Sequence, residues 1–337
     1  MVEPILSVRG LETYFHPDEG VVRAVDGASF DLYPGRTLGI VGESGCGKSV
    51  TARSILRIVE RPGRVEGGSV LLRRADGSVV DIVQLDGKSK EIRDIRGGEI
   101  GYVFQEPMSS LSAFHTIGNQ LIEAIRLHRD VSPKAARARA VELLHMVGIP
   151  RPEQRVDSYS FELSGGLRQR VRIALSLAAE PRILIADEPT TALDVTTQAQ
   201  VLDLIRRIQT ERNLAVVLIT HDMGVIAEMA DSVAVMYLGK VVESGPVDAI
   251  FHTPRHPYTK ALLRSIPSVL AAPRSRLATL AGSIPHPYAR PTGCPFHPRC
   301  QDFIHGMCDQ GVPVVTQVEP EHEVRCFLYG DPIEGVA

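Results

Sequence analysis

The segment Gly42-Glu43-Ser44-Gly45-Cys46-Gly47-Lys48-Ser49 constrains this chain more than any other stretch, because few backbones other than a phosphate cradle use such a run. A loop that wraps a polyphosphate needs inward-pointing backbone N–H groups, hence glycine. It also benefits from a helix directly behind it, whose N-terminus carries partial positive charge. Thr37 to Val41, following the Pro34-Gly35 turn, reads as a short buried strand, and Ser49 to Ile58 reads as a helix. Strand, loop and helix together are the context a Walker A match requires. The expected cradle runs from Gly42 through Ser44, Gly45, Cys46 and Gly47 to Val50. Lys48 is expected to reach the β- and γ-phosphates and the Ser49 hydroxyl to ligate Mg²⁺.

The rest of the chain bounds what such a loop serves. With 337 residues it is long enough for one large domain and an appendage, or for two domains. A net charge of −3 and no basic patch argue against nucleic acid as the main partner. Apolar runs such as Leu214 to Ile219 are strand-sized, well short of the roughly 20 residues that span a bilayer. The N-terminal MVEPILSVRG lacks the basic start and long apolar stretch of a signal peptide, so a cytoplasmic chain is expected.

Short apolar runs alternate with turns over residues 1–83, as in an antiparallel β-rich arm. Helical signals follow Phe104: Leu121, Ala124, Ile125 and His128 fall at helical spacing. Ser132-Pro133 then reads as a cap and first-turn proline, with Ala140, Leu143, Leu144 and Val147 on one face and Gly148 as the stop. Residues of about 106–178 therefore read as a separate helical lobe. From Arg182 onward buried strands and helices alternate, which is the logic of a largely parallel α/β sheet. Beyond Ser268 the chain turns to proline, arginine and cysteine with little periodicity, and a boundary is expected there.

Ile183 to Glu188 is a buried strand ending in two carboxylates, a Walker B arrangement. Asp187 at the strand end suits a Mg²⁺ shell, and Glu188 suits orienting and deprotonating the attacking water. Gln105, after the strand Ile100 to Phe104, is placed to contact Mg²⁺ and that water. His221, directly after Thr220, is placed to sense the γ-phosphate.

With these motifs in order, the chain resembles an ATP-binding cassette (ABC) transporter ATPase. The matching residues are the loop at 42–49, Gln105, the signature Leu163-Ser164-Gly165-Gly166-Leu167, the strand at 183–188, Thr191-Ala192-Leu193-Asp194, and His221. The resemblance implies an α/β P-loop NTPase with a RecA-like core, an antiparallel β arm and a helical subdomain. It also implies a head-to-tail dimer with a second ABC ATPase subunit, a paralogue or another copy, in which ATP lies between one subunit's Walker A and the other's signature. Ser164, Gly165 and Gly166, expected to open a helix through Arg170 to Ala179, would supply a second anion site. Asp194 is carried over with the nucleotide contacts. Phe15, with Tyr14 as competitor, stands where the family stacks an aromatic on adenine.

Within that family the chain resembles the oligopeptide/dipeptide-importer type. The segments are Phe104-Gln105-Glu106-Pro107-Met108-Ser109-Ser110-Leu111, Ala186 to Asp194, Thr220 to Val225, and His256-Pro257-Tyr258-Thr259-Lys260-Ala261-Leu262-Leu263. This implies two integral membrane permease subunits, an extracytoplasmic solute-binding protein, and a peripheral place on the cytoplasmic face of the inner membrane. Ser112-Ala113 stands where peptide importers usually carry Asn-Pro, and Leu167 where methionine is common. Oligosaccharide, nickel and opine therefore remain as alternative cargoes. A soluble ABC protein of translation or DNA repair, and an iron–sulfur assembly ATPase, are the alternatives outside peptide transport. The single cassette, without coiled coil or zinc insert, and the C-terminal region speak against them.

Four of the five cysteines, Cys294, Cys300, Cys308 and Cys326, lie within 33 residues, separated by five, seven and seventeen others. A reducing cytosol disfavours disulfides, and paired Cys-x₂₋₄-Cys spacing for zinc is absent. An iron–sulfur cluster, zinc or no metal at all remain open. Gly293 to Cys300 resembles the C-terminal extension of peptide-importer ATPases, some of which hold a [4Fe–4S] cluster. That resemblance implies a small cysteine-rich extension over 268–337, after an ATPase domain at 1–267. His297 and His305 read as solvent-facing rather than as ligands, and Cys46 as a small residue tolerated in the loop.

Overall fold

The computed structural model describes residues 2–105, 111–266, 280 and 282–330. In chain order the elements begin with β1 (Leu6–Phe15), β2 (Val22–Leu32), β3 (Thr37–Val41), α1 (Lys48–Ile55), β4 (Gly63–Arg73) and β5 (Val79–Asp81). Then come α2 (Lys90–Gly98), β6 (Ile100–Val103), α3 (Ile117–His128), α4 (Pro133–Met146), α5 (Pro152–Arg155) and α6 (Gly165–Ser176). The α/β half continues through β7 (Ile183–Asp187), α7 (Val195–Arg212), β8 (Ala215–Ile219), α8 (Met223–Met229), β9 (Ser232–Tyr237) and β10 (Lys240–Pro246). Last are α9 (Val247–His252), α10 (Pro257–Arg264), β11 (Thr316–Glu319) and β12 (His322–Val324).

The chain divides into two compact units. The first comprises residues 1–5, 32–37 and 72–219, and the second residues 6–31, 38–71 and 220–337. In the first, β8, β7 and β6 form a parallel ladder in that order, with Ile183 opposite Ala215 and Ile100 opposite Ile183. Every residue of β7 and β8 is buried, and apart from the terminal Asp187 both strands are continuous apolar runs rather than alternating ones. The α-helices are built as their termini predict. Ser132 caps α4 by accepting from the Ala135 N–H, Pro133 fills the first turn, and Gly148 ends the run at φ +74. Ala140, Leu143, Leu144 and Val147 are fully buried on one face. The segment 106–110 lies outside the described residues.

In the second unit, β2, β1 and β4 lie side by side, forming the arm expected from the N-terminal pattern. A second sheet runs β11-β12-β10-β9-β3. Strand β3 pairs parallel with β9, Leu38 opposite Ser232 and Val41 opposite Val235, and β10 continues antiparallel. The C-terminal stretch departs from the expectation of an aperiodic tail: β12 adds antiparallel to β10, Glu243 opposite Val324, and β11 adds to β12. Its polar alternation hid these strands. Buried among them, His322 Nε2 lies 2.8 Å from Glu243 Oε1, and Glu243 also accepts from the backbone N–H groups of Arg255 and His256. Both side chains are essentially inaccessible, so the carboxylate is satisfied entirely inside the protein. Among the described residues no helix is long and apolar enough to cross a membrane.

Candidate functional site

In the second unit, fully buried β3 delivers the chain into the loop 42–49, and α1 begins at Lys48, one residue earlier than its sequence suggests. The glycines are there for backbone reasons. Gly42, Gly45 and Gly47 have φ of +153, +80 and +103, and a Cβ on Gly47 would stand 2.1 Å from the Ala24 carbonyl oxygen. Lys48 is 5% exposed, and its Nζ donates to the carbonyls of Gly42 (2.7 Å) and Glu43 (3.1 Å), so the ammonium is held over the loop. Ser44 and Gly45 are exposed and Ser49 and Val50 half-buried. Thr51 Oγ1 donates to the Gly47 carbonyl at 2.9 Å, stapling loop to helix. Cys46 is buried, and that burial pushes its thiol up despite the Lys48 ammonium, so it rests as a neutral packing group. A cradle of glycines in the left-handed region, a helix start and one buried ammonium fit a nucleotide polyphosphate.

The same unit holds His221, exposed, between Thr220 and Asp222. Thr220 N–H donates to Ile40 O, and Thr220 Oγ1 accepts from Asp222 N–H, fixing the strand end on which His221 sits. Of the two aromatics proposed for the base, Tyr14 donates to Asp26 Oδ1 at 3.2 Å and lies under Arg23. Phe15 is half-buried beside Gly63, where a Cβ would meet its ring at 2.6 Å.

In the first unit, β7 ends at Asp187, whose side chain is completely buried. The Tyr102 hydroxyl donates to Asp187 Oδ2 at 2.8 Å. Tyr102 is a partner that sequence reasoning missed; its place one strand over in β6, opposite Ile185, was the available signal. Glu188 sits at φ +48, a left-handed conformation unusual for glutamate, with its N–H tied to Ile219 O. Its Oε2 accepts from Gln105 Nε2 (3.0 Å) and Thr191 Oγ1 (2.8 Å). The structure thus brings Gln105 and Glu188 into direct contact. A carboxylate buried at a strand end fits a hard divalent cation, and the Gln105–Glu188 pair beside it can orient a water.

The signature residues also lie in the first unit. Ser164 caps α6, accepting from the Leu167 N–H, with Ser164 and Gly165 exposed. α6 runs to Ser176, shorter than expected. A Cβ on Gly166 would meet Thr197 Cγ2 at 2.5 Å, so glycine there is a packing requirement. Asp194 caps α7, accepting from Thr197 N–H (2.9 Å) and Thr197 Oγ1 (2.7 Å), which lowers its carboxyl.

None of the five cysteines is in a disulfide. Burial pushes Cys294 up to about 12 and Cys326 to about 11, with the neighbouring thiols adding to both, and burial raises Cys300 as well. Among the described residues, no three His, Cys, Asp or Glu side chains converge as a metal-ligand group. As they stand, the cysteines do not make up the converging ligand group expected of a metal centre. His305 is exposed, as expected. His297 is half-buried, with Nδ1 3.0 Å from the Cys294 carbonyl oxygen.

The loop and the carboxylate strand end define a P-loop nucleotide triphosphatase of the cassette class. Residues 25–191 match the ABC transporter family, and residues 242–308 match the oligopeptide/dipeptide transporter C-terminal region. A putative peptide import ATP-binding protein of Brucella melitensis is 46% identical, covering 97% of this chain and 98% of its own. The dipeptide transport ATP-binding protein DppD of Bacillus subtilis is 46% identical, covering 97% and 95%. Among solved structures, the ATP-binding cassette MJ0796, a dimer in a post-hydrolysis state bound to ADP and Pi, matches with a TM-score of 0.63. The identity is 26%, over 72% of this chain and 98% of that one. CbiO1 from Clostridium perfringens, part of the ABC transporter complex CbiONQ, matches at 0.61 with 27% identity, over 74% and 92%. The chain belongs to the ABC transporter family and is an ATPase of that family.

Proposed function

We propose that this chain is the ATP-hydrolysing subunit of an importer for dipeptides or oligopeptides. The observation that carries the cargo is the near full-length likeness to proteins named for peptide import, joined to the C-terminal match over 242–308. Its partners in this reading are a second ABC ATPase subunit, a paralogue or a copy of itself, two integral membrane permease subunits and an extracytoplasmic solute-binding protein. It works peripherally on the cytoplasmic face of the inner membrane.

The roles follow from the chemistry of each group. The loop N–H groups from Gly42 to Val50 and the Lys48 ammonium bind the phosphates, and Phe15 stacks on the base. Ser49, Asp187 and Gln105 would hold Mg²⁺, which when bound neutralises charge on the β- and γ-oxygens. Glu188, held by Gln105 and Thr191, takes the proton of the attacking water, and His221 positions the γ-phosphate end. The signature residues Ser164, Gly165 and Gly166, with Asp194, complete the partner subunit's site. The domain reading is an ATPase domain over 1–267, with its helical subdomain at about 106–178, and an extension over 268–337. The 267–279 stretch containing that boundary lies outside the described residues.

At a finer level we assign the cysteine-rich extension a [4Fe–4S] cluster on Cys294, Cys300, Cys308 and Cys326, with zinc as the alternative metal. The support is their spacing and the resemblance of Gly293 to Cys300 to the C-terminal extension of peptide-importer ATPases. Loading requires the thiols to lose their protons and draw together. Iron and sulfide analysis of anaerobically purified protein tests it, and an iron-free, colourless protein refutes it. The importer reading is tested by affinity purification from native membranes followed by peptide uptake. Two permeases should co-purify, and deleting the gene should abolish uptake of labelled peptides; unchanged uptake refutes it.

A further inference from the structure

We propose that Arg299, far away in sequence in the cysteine-rich C-terminal stretch, is a positioning residue of the phosphate loop and acts through Glu43. The inference rests on reading residues 42–49 as the ATP loop. Glu43 is the second residue of that loop, and Arg299 grips its carboxylate with both ends of its fork: Nη1 to Oε2 at 2.7 Å and Nη2 to Oε1 at 3.1 Å. The Arg299 side chain is only 4% exposed, so the pair is shielded from water on its cationic side. Glu43 is held a second time through its backbone, its N–H donating to the buried Tyr258 hydroxyl at 2.9 Å. Its carbonyl is in turn an acceptor for Lys48 Nζ. A residue fixed at carboxylate and N–H thus supplies part of the seat for the phosphate-binding ammonium.

Arg299 is itself placed by packing. Phe296, 2% exposed, stands 5.2 Å from the Tyr237 ring and 5.4 Å from that of Tyr258, and these two rings are 4.7 Å apart. The turn that follows returns Arg299 N–H to Phe296 O at 3.0 Å, aiming the guanidinium past Tyr237 at Glu43. The aromatic trio and the fork dock the C-terminal stretch directly on the nucleotide loop. Two effects follow. The loop is pre-ordered, so binding a polyphosphate costs less ordering. The Glu43 carboxylate is also neutralised, so it does not repel the phosphates beside it.

The test is ATP binding by full-length protein, read by calorimetry with and without Mg²⁺, together with steady-state hydrolysis. Arg299→Ala should weaken ATP binding about tenfold, or about 1.4 kcal/mol, and raise KM in step while kcat changes by less than about twofold. Adding Glu43→Gln to Arg299→Ala removes the uncompensated carboxylate and should restore affinity to within about threefold of wild type, a rescue that loss of mere packing does not show. Arg299→Lys keeps the charge without the fork, should fall between, and serves if Arg299→Ala does not fold. Wild-type affinity in both arginine variants, or no rescue by Glu43→Gln, overturns the proposal. Lys48→Ala separates the two readings. If it binds ATP as wild type does, the loop assignment itself fails; if it loses binding while the arginine variants keep theirs, only the role of Arg299 fails.

Discussion

Tyr102→Phe removes one hydroxyl and nothing else. The Tyr102 ring, packed 4.4 Å from that of Phe104, keeps its place, while the 2.8 Å hydrogen bond from its hydroxyl to Asp187 Oδ2 is lost. Asp187 is completely buried, so water does not replace the missing donor. A hydrogen bond to a charged group contributes about 1.5–3 kcal/mol, and the short distance and full burial favour the middle of that range. We expect Tyr102→Phe to lower stability by about 2 kcal/mol in urea unfolding at pH 7, and Tm by roughly 3 °C in a chain of this size. In an Asp187→Asn background the acceptor is neutral, so the same change should cost only about 1 kcal/mol, leaving a coupling of about 1 kcal/mol. Equal costs in the two backgrounds, or no cost in the first, would refute the claim that Tyr102 anchors the buried carboxylate.

Gly47→Ala forces a side chain into a left-handed backbone with its Cβ 2.1 Å from the Ala24 carbonyl oxygen; strain of about 1–3 kcal/mol should fall on the loop and weaken ATP binding about tenfold or more by calorimetry. Burial, with a small contribution from Lys260, lowers His256 to about 3. The unfolded chain, with an ordinary value near about 6.5, takes up the proton first. Stability from this site is therefore complete above about pH 6.5 and lost as pH falls toward 3, by up to about 1.4 kcal/mol per pH unit. His256→Asn keeps an acceptor for the Tyr258 N–H but does not titrate, so its stability measured from pH 7 to 4 should decline less steeply; a parallel decline counts against the buried neutral imidazole.

The parts of the molecule most visible in sequence were those whose physics is local. The strand Thr37–Val41 and the all-apolar strands ending at Asp187 and Ile219 announce themselves by continuous apolar runs, and α4 by its cap, proline and glycine stop. Glu188 and Gln105 were visible as chemistry, but their contact with each other was not, since 83 positions separate them. The arginine on Glu43 and the histidine on Glu243 were hidden more deeply. A charged residue reads as solvent-facing unless its partner is known, and these partners lie 256 and 79 positions away. Strands β11 and β12 escaped for the related reason that their exposed faces are polar, and their place comes from pairing rather than periodicity. The cysteines show the converse: spacing suggested a metal centre that the side-chain positions do not form by themselves.

Glu188→Gln tests the central claim most directly. The amide oxygen can still accept from Gln105 Nε2 and Thr191 Oγ1, so the strand end should keep its geometry while losing its proton acceptor. Single-turnover hydrolysis with saturating Mg·ATP should fall by about 10²–10⁴-fold while ATP affinity stays within about threefold of wild type. Hydrolysis near the wild-type rate with intact binding would contradict the assignment of Glu188 as the base and the account of this ATPase built on it.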